Sequence, residues 1–155
     1  KSRLTSKLGG ALFSIPAIKG VEFGIGFKNA DVLGRAAHDE IYLDQKKGFM
    51  RSTNRAGGLE GGMTTGMPLI MTAAMKPIPT QIDPLDTVNL DTLEVDKAST
   101  ERSDVCAVPA AAVVAEAEVA FVLAQAYLDK FGSDNMTDIK ANIDAFKKRI
   151  KTMSR

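Results

Sequence analysis

The chain has a single cysteine, Cys106, and a single histidine, His38, in 155 residues. One thiol excludes an internal disulfide and fits a reducing compartment. One histidine without partners at ligand spacing gives no metal site. Charge of one sign is also lacking. The formal net charge is +1, so the total offers no strong attraction for a polyanion. The opening "KSRLTSKLGG" has no apolar stretch of the signal-peptide kind. No apolar run is expected to cross a bilayer. Internal repeats and low-complexity tracts are absent. Together these point to a cytoplasmic protein with no membrane and no nucleic-acid partner. A chain that opens on lysine rather than methionine reads as part of something longer.

What is present suits one globular domain: 45% apolar and 25% charged residues. "LTSKLGGALFS" (residues 4–14) predicts a short helix, weakened by Gly9 and Gly10 and ended before Pro16. "IKGVEFGIGF" (18–27) has period two, with Val21, Phe23, Ile25 and Phe27 on one face of a strand. Residues 28–48 are polar and aperiodic and predict a mobile surface loop. A short strand is expected at 49–52, a buried strand at 67–75, and a hairpin at 87–95 that pairs Val88 and Leu90 with Leu93 and Val95 across Asp91-Thr92.

The last third predicts two helices. One runs from Pro109 to Lys130, with Val113, Ala117, Phe121, Ala124 and Leu128 as its stripe, packing on several sides and capped by Gly132. The second carries Ile139, Ile143, Phe146 and Ile150 and ends in a basic turn, Lys147, Lys148, Arg149 and Lys151. The class is α+β: antiparallel sheet segments followed by two helices.

Four places could carry chemistry. "NRAGGLEGGM" (54–63) sets two Gly-Gly pairs close together, a density that suits either bare backbone for an anion or flat ring or a tight sheet connection. It has neither the dinucleotide-binding nor the P-loop pattern. "KPIPT" (76–80) displays Lys76 and Thr80 on a backbone stiffened by Pro77 and Pro79, a pair that suits a phosphate or a plain strand exit. In "ERSDVCAVPAA" (101–111), Arg102 and Asp104 stand two apart on an extended segment and share a face. They suit anion binding and proton transfer, or an intramolecular ion pair. Cys106 has no base nearby in sequence and reads as a packed thiol; His38 reads as a surface residue.

The stretches "SIPAIKGVEFG", "RSTNRAGGLEGGMTTGMPL", "AAMKPIPT" and "RSDVCAVPAAAVVAE" together resemble the C-terminal half of the chorismate synthase family, in the family's order. The resemblance covers Leu4 to about Gly132 and looks closest to Gram-positive and related bacterial enzymes. It implies a β-α-β sandwich, of which residues 1–155 would be the C-terminal portion of a single domain, the N-terminal half being absent. It implies a phosphate lyase of the shikimate pathway. In that reaction 5-enolpyruvylshikimate 3-phosphate loses phosphate and a ring hydrogen in an anti-1,4-elimination to give chorismate. Reduced FMN is required, with no net redox change, and NADP goes with the family. The enzyme would be a homotetramer.

By the same resemblance Pro16 and Ala17 would line the flavin site and Gly61 would lie against the flavin. Lys76, Pro77, Ile78, Pro79 and Thr80 would hold its phosphate end. Arg102 would help bind substrate and flavin, and Asp104 would act in a proton relay with flavin N5. The family's two catalytic histidines and its substrate-clamping arginines belong to the other half, so this chain alone is expected to be inactive. A flavin or phosphate-ligand binding module, and a purely structural fragment, are the other readings that the residues leave open.

Overall fold

The computed structural model describes residues 3–45, 48–80, 82–100 and 106–153. Its centre is α1 (Leu4–Ser14), whose Leu4, Leu8 and Leu12 recur every four residues on one stripe and are all buried. Two glycines inside an eleven-residue helix cost about 1 kcal/mol each relative to alanine. The helix therefore depends on burying its leucines, each worth roughly 1.5–3 kcal/mol. Leu8 packs with Leu59 and Val122, and Leu12 with Ile15 and Ile18.

After α1 the chain turns through Ile15–Ala17 into β1 (Ile18–Phe23). That strand is shorter than its alternating pattern predicts. Gly24 and Gly26 take left-handed backbone angles (φ 60° and 48°) and turn the chain into a 3-10 segment, Gly26–Asp31. Ile25 and Phe27 thus leave the strand, and Phe27 is exposed. Beyond it come α2 (Gly34–Ala37), β2 (Ile41–Asp44) and β3 (Gly48–Arg51). The last two pair antiparallel, Ile41 opposite Arg51. The described part of the expected loop over 28–48 is therefore structured, because a buried charge, Asp39, is tied to the segment after β3.

A two-residue ladder, β4 (Leu59–Glu60) and β5 (Met63–Thr64), closes the turn at Gly61-Gly62. β6 (Met71–Met75) returns antiparallel to β1, Phe23 opposite Met71 and Ile18 opposite Met75. β7 (Asp86–Val88) and β8 (Val95–Lys97) form the expected hairpin, with Val88 opposite Val95. Leu90 and Leu93 do not pair across it. Asn89 Oδ1 accepts the Asp91 and Thr92 amides and makes a wider turn, leaving both leucines exposed.

α3 (Val108–Phe131) and α4 (Met136–Met153) complete the α+β order. Pro109 sits in the first turn of α3. Gly132, at φ 102°, ends it and donates its amide to the Leu128 carbonyl. Asn142 Nδ2 donates to the Phe131 carbonyl at 2.8 Å, and Lys130 Nζ stands 3.9 Å from the Phe146 ring centre, which fixes the corner between the helices. Of the α4 stripe, Ile139 is buried and Ile143 and Phe146 are half-buried, while Ile150 is exposed.

The packing of α3 departs from expectation. Its inward residues include Ala115, Val119, Val122 and Ala126, against α1 and β6. The expected stripe faces outward: Val113, Phe121 and Leu128 are exposed. A helix apolar on every side carries no phase in its sequence, so periodicity cannot say which face turns inward. α3 is also long and apolar enough, by length and composition, to span a bilayer, contrary to the reading that no run is. It carries Glu116 and Glu118 and packs one side on α1 through contacts that include the Lys7–Asp129 ion pair at 3.2 Å. Cys106 is exposed, not packed, because it precedes the first turn of α3.

The glycine loop crosses β1's end at backbone contact. A Cβ on Gly57 would stand 2.2 Å from Gly24 N, and one on Gly24 would stand 1.9 Å from the Arg55 carbonyl oxygen. Gly57→Ala is expected to lower unfolding stability by about 3 kcal/mol or more, since left-handed strain and overlap with backbone add. Gly61→Ala, at φ 59° with open space around its Cβ position, should cost only about 1–2 kcal/mol. Urea unfolding of the two variants checks the contrast; equal losses would refute it.

Candidate functional site

Pairing of β1 with β6 brings together two motifs that are distant in sequence. The Lys76 amide donates to the Ala17 carbonyl at 2.7 Å, one step past the Ile18–Met75 pair. Pro16-Ala17 and Lys76 thus form one edge. Ala17 holds φ 68°, in the left-handed region that costs a residue with a side chain about 1–2 kcal/mol. Such conformations persist where surrounding structure enforces them, often beside ligands. Pro16, Lys76, Pro77 and Pro79 are exposed, while Ala17, Ile78 and Thr80 are half-buried. Pro77 and Pro79 have no amide hydrogen to donate, so the segment cannot extend the ladder as a regular strand. A displayed ammonium beside a rigid, bare turn can receive an anion.

Gly61 lies elsewhere. Its turn sits at the opposite end of α1, where the Leu4 amide donates to the Gly62 carbonyl at 2.9 Å. Eleven residues of helix separate the two ends, roughly 16 Å at the ordinary rise. A ligand touching both must therefore be elongated. The two glycine pairs also differ in kind. Gly57 and Gly58 are buried against backbone, the tight-connection reading; Gly61 is exposed with open space around its Cβ position. Arg102 and Asp104 fall outside the described residues.

Sequence reasoning missed Asp39, which is 7% exposed and is the hub of this region. Its carboxylate accepts the Thr53 hydroxyl, the Arg55 amide at 2.8 Å and the Ala56 amide at 2.9 Å. Arg51 extends the hub. Its guanidinium donates to the Asp39 carbonyl at 3.3 Å and grips both oxygens of the Glu60 carboxylate at 3.2 and 2.6 Å. Nothing local marks Asp39, because its partners lie 14 to 17 residues downstream. His38, beside it, is exposed; its carbonyl accepts from Arg55 Nη1 and its amide donates to the Gly34 carbonyl. Among the described residues no group of three or more His, Cys, Asp or Glu could hold a metal ion.

Burial by itself would raise the Asp39 carboxyl. The Thr53 hydroxyl, the Ala56 and Arg55 amides and the Arg51 charge outweigh it and hold the group below its ordinary value of 3.8. A carboxyl held lower in the folded state binds fewer protons than in the unfolded chain. Its contribution is therefore complete above 3.8 and is lost as pH falls through the lower folded value. Asp39→Asn should lower stability at pH 7 and flatten the acid-side slope in that window. Urea midpoints from pH 7 downward check this; an unchanged slope would count against it.

Comparisons with known proteins place these elements. The chorismate synthase family model matches residues 1–128. A chorismate synthase of Bacillus velezensis is 56% identical over 146 residues, 94% of this chain and 37% of that protein. One from Bacillus subtilis strain 168 is 55% identical over the same shares. One from Endomicrobium trichonymphae is 51% identical over 97% of this chain and 39% of its own length. A solved structure described as a crystal structure of chorismate synthase matches with TM-score 0.77 and 40% identity, over 97% of this chain and 38% of its own. The chain thus spans somewhat over a third of the relatives it matches.

Proposed function

The chain belongs to the chorismate synthase family, and we propose that it is the flavin-binding C-terminal portion of a single chorismate synthase domain. The parent carries out the anti-1,4-elimination of phosphate from 5-enolpyruvylshikimate 3-phosphate, as a cytoplasmic homotetramer in aromatic amino-acid biosynthesis. The observation that carries this reading is the contact between the Ala17 carbonyl and the Lys76 amide. It assembles, from two separate motifs, the edge that the family resemblance assigns to FMN.

The residues present fit that ligand. Lys76 and Thr80 offer an ammonium and a hydroxyl to a phosphate. The Pro16-Ala17 turn supplies a rigid wall beside them, and Gly61 offers bare backbone about one helix length away, which suits a long, flat molecule. Reduced FMN, when bound, supplies the electron-rich ring that the elimination needs without net oxidation. Lys76 binds and orients the phosphate end. Arg102 holds anionic groups of flavin and substrate, and Asp104 returns a proton during turnover.

The rest of the domain is carried by the remaining length of the parent. An apolar groove of about 650 Å³ opens between α3 and the β1–β6 sheet, lined by residues including Leu12, Met71, Met75, Val108 and Val119. The outer face of α3 shows Val113, Val114 and Phe121. Covering such surfaces is what completes a core.

The full-length parent, assayed anaerobically with reduced FMN and the enolpyruvyl substrate, is expected to release phosphate and form chorismate. The segment alone should not, because general acid–base groups worth about 10²–10⁴-fold lie outside it. Lys76→Ala in the parent should weaken FMN binding by roughly tenfold to a hundredfold, the loss of one charged hydrogen bond. Flavin fluorescence titration measures it. Parent without turnover, or unaltered flavin affinity in the variant, would overturn the assignment.

A further inference from the structure

We propose that Asp39 is a positioning residue for flavin binding: it holds the glycine loop so that the Gly61 turn presents bare backbone to the ring. The inference rests on the flavin reading above and names a residue that reading does not include.

Three observations carry it. First, all three donors to the Asp39 side chain come from residues 53–56, immediately before Gly57. A buried carboxylate whose acceptors are filled by one short stretch fixes that stretch in both position and direction. Second, the loop that follows has no freedom to compensate. Gly57, Gly58 and Leu59 are buried, and Gly57 lies against the Gly24 backbone. Third, Arg51 spans the loop. It donates to the main-chain carbonyl of Asp39 at one side, where its charge also acts on the Asp39 carboxylate, and through both nitrogens to the Glu60 carboxylate at the other. Glu60 is the residue before Gly61. The chain of contacts from Asp39 through Arg51 to Glu60 therefore ends one residue from the exposed turn.

A neutral side chain also links the loop. Asn54 already links it, donating from Nδ2 to the Pro68 carbonyl at 2.9 Å and accepting the Gly58 amide on Oδ1 at 2.8 Å. The charged hub adds contacts from a second side of the loop. A turn that must meet a rigid ring needs that added fixity, since ordering it at the moment of binding would reduce affinity.

Asparagine at 39 keeps the shape but replaces one accepting oxygen with a donor. That donor would face an amide or hydroxyl that also donates. In the full-length parent, Asp39→Asn is expected to weaken reduced-FMN binding about tenfold. Turnover at saturating flavin should stay within about twofold, because no reacting atom is touched. Ile139→Ala, at a buried position on α4, which packs on α3, serves as the matched control. It should lower the thermal midpoint without moving flavin affinity.

If Asp39→Asn does not fold, Thr53→Val removes one of the three donors and should weaken flavin binding a few-fold. Equal flavin affinity in wild type and the folded Asp39 or Thr53 variant, measured well below the thermal midpoint, overturns the inference and leaves the flavin reading intact. A parallel loss in Ile139→Ala would also overturn it, by reducing the effect to general destabilisation. Wild-type protein that binds no reduced FMN overturns both.

Discussion

The contact between the Gly24 and Gly57 backbones is the constraint on which the rest depends. Gly24 donates its amide to the Ile70 carbonyl, Ile70 donates to Gly57, and Ile25 donates to Arg55. These bonds join the end of β1, the glycine loop and the start of β6 at one point. Any side chain there would separate them, because each Cβ position is already filled by backbone. The crossing sets where β6 begins and pairs Phe23 with Met71, and a register shift between Ile18 and Gly20 then carries Met75 opposite Ile18 and Lys76 beside Ala17. The ligand edge is a consequence of that register.

α1 supplies the second constraint by burying its leucines between β1, the β4–β5 turn and α3. It also sets the distance between the two halves of the candidate site. The Pro16-Ala17 turn leaves its C-terminal end and the Gly61-Gly62 turn meets its N-terminal end. A helix of fixed length is a ruler, and a ligand that reaches both ends is selected by size as well as by charge.

Electrostatics work locally here. With a net charge of +1 the whole chain exerts little long-range pull. Asp39 acts instead through hydrogen bonds in a part-buried setting, where a charged group orients its donors more strongly than at the surface, and Arg51 through a bidentate grip on the more exposed Glu60. The pair Lys97–Asp86 across the β7–β8 hairpin is two-thirds exposed and contributes far less.

Local chemistry was legible in the sequence wherever it is written in consecutive residues. The leucine spacing of α1, the Val88–Val95 hairpin pair, the proline start and Gly132 end of α3, and the rigid "KPIPT" exit all follow from propensity and turn geometry. The family motifs named the candidate residues as well. Tertiary structure decided the remainder. It chose which face of an all-apolar α3 turns inward, since Ala115 and Val119 win that place from Val113 and Phe121 only by matching the surface of α1 and the sheet. It assigned one glycine pair to backbone packing and left Gly61 open. It turned the described part of an expected loop after residue 28 into a 3-10 segment, a short helix and the paired strand β2, anchored where Asp39 finds its donors more than a dozen residues away. Interactions between distant segments depend on where the folded chain places them, and spacing along the sequence carries no record of that placement.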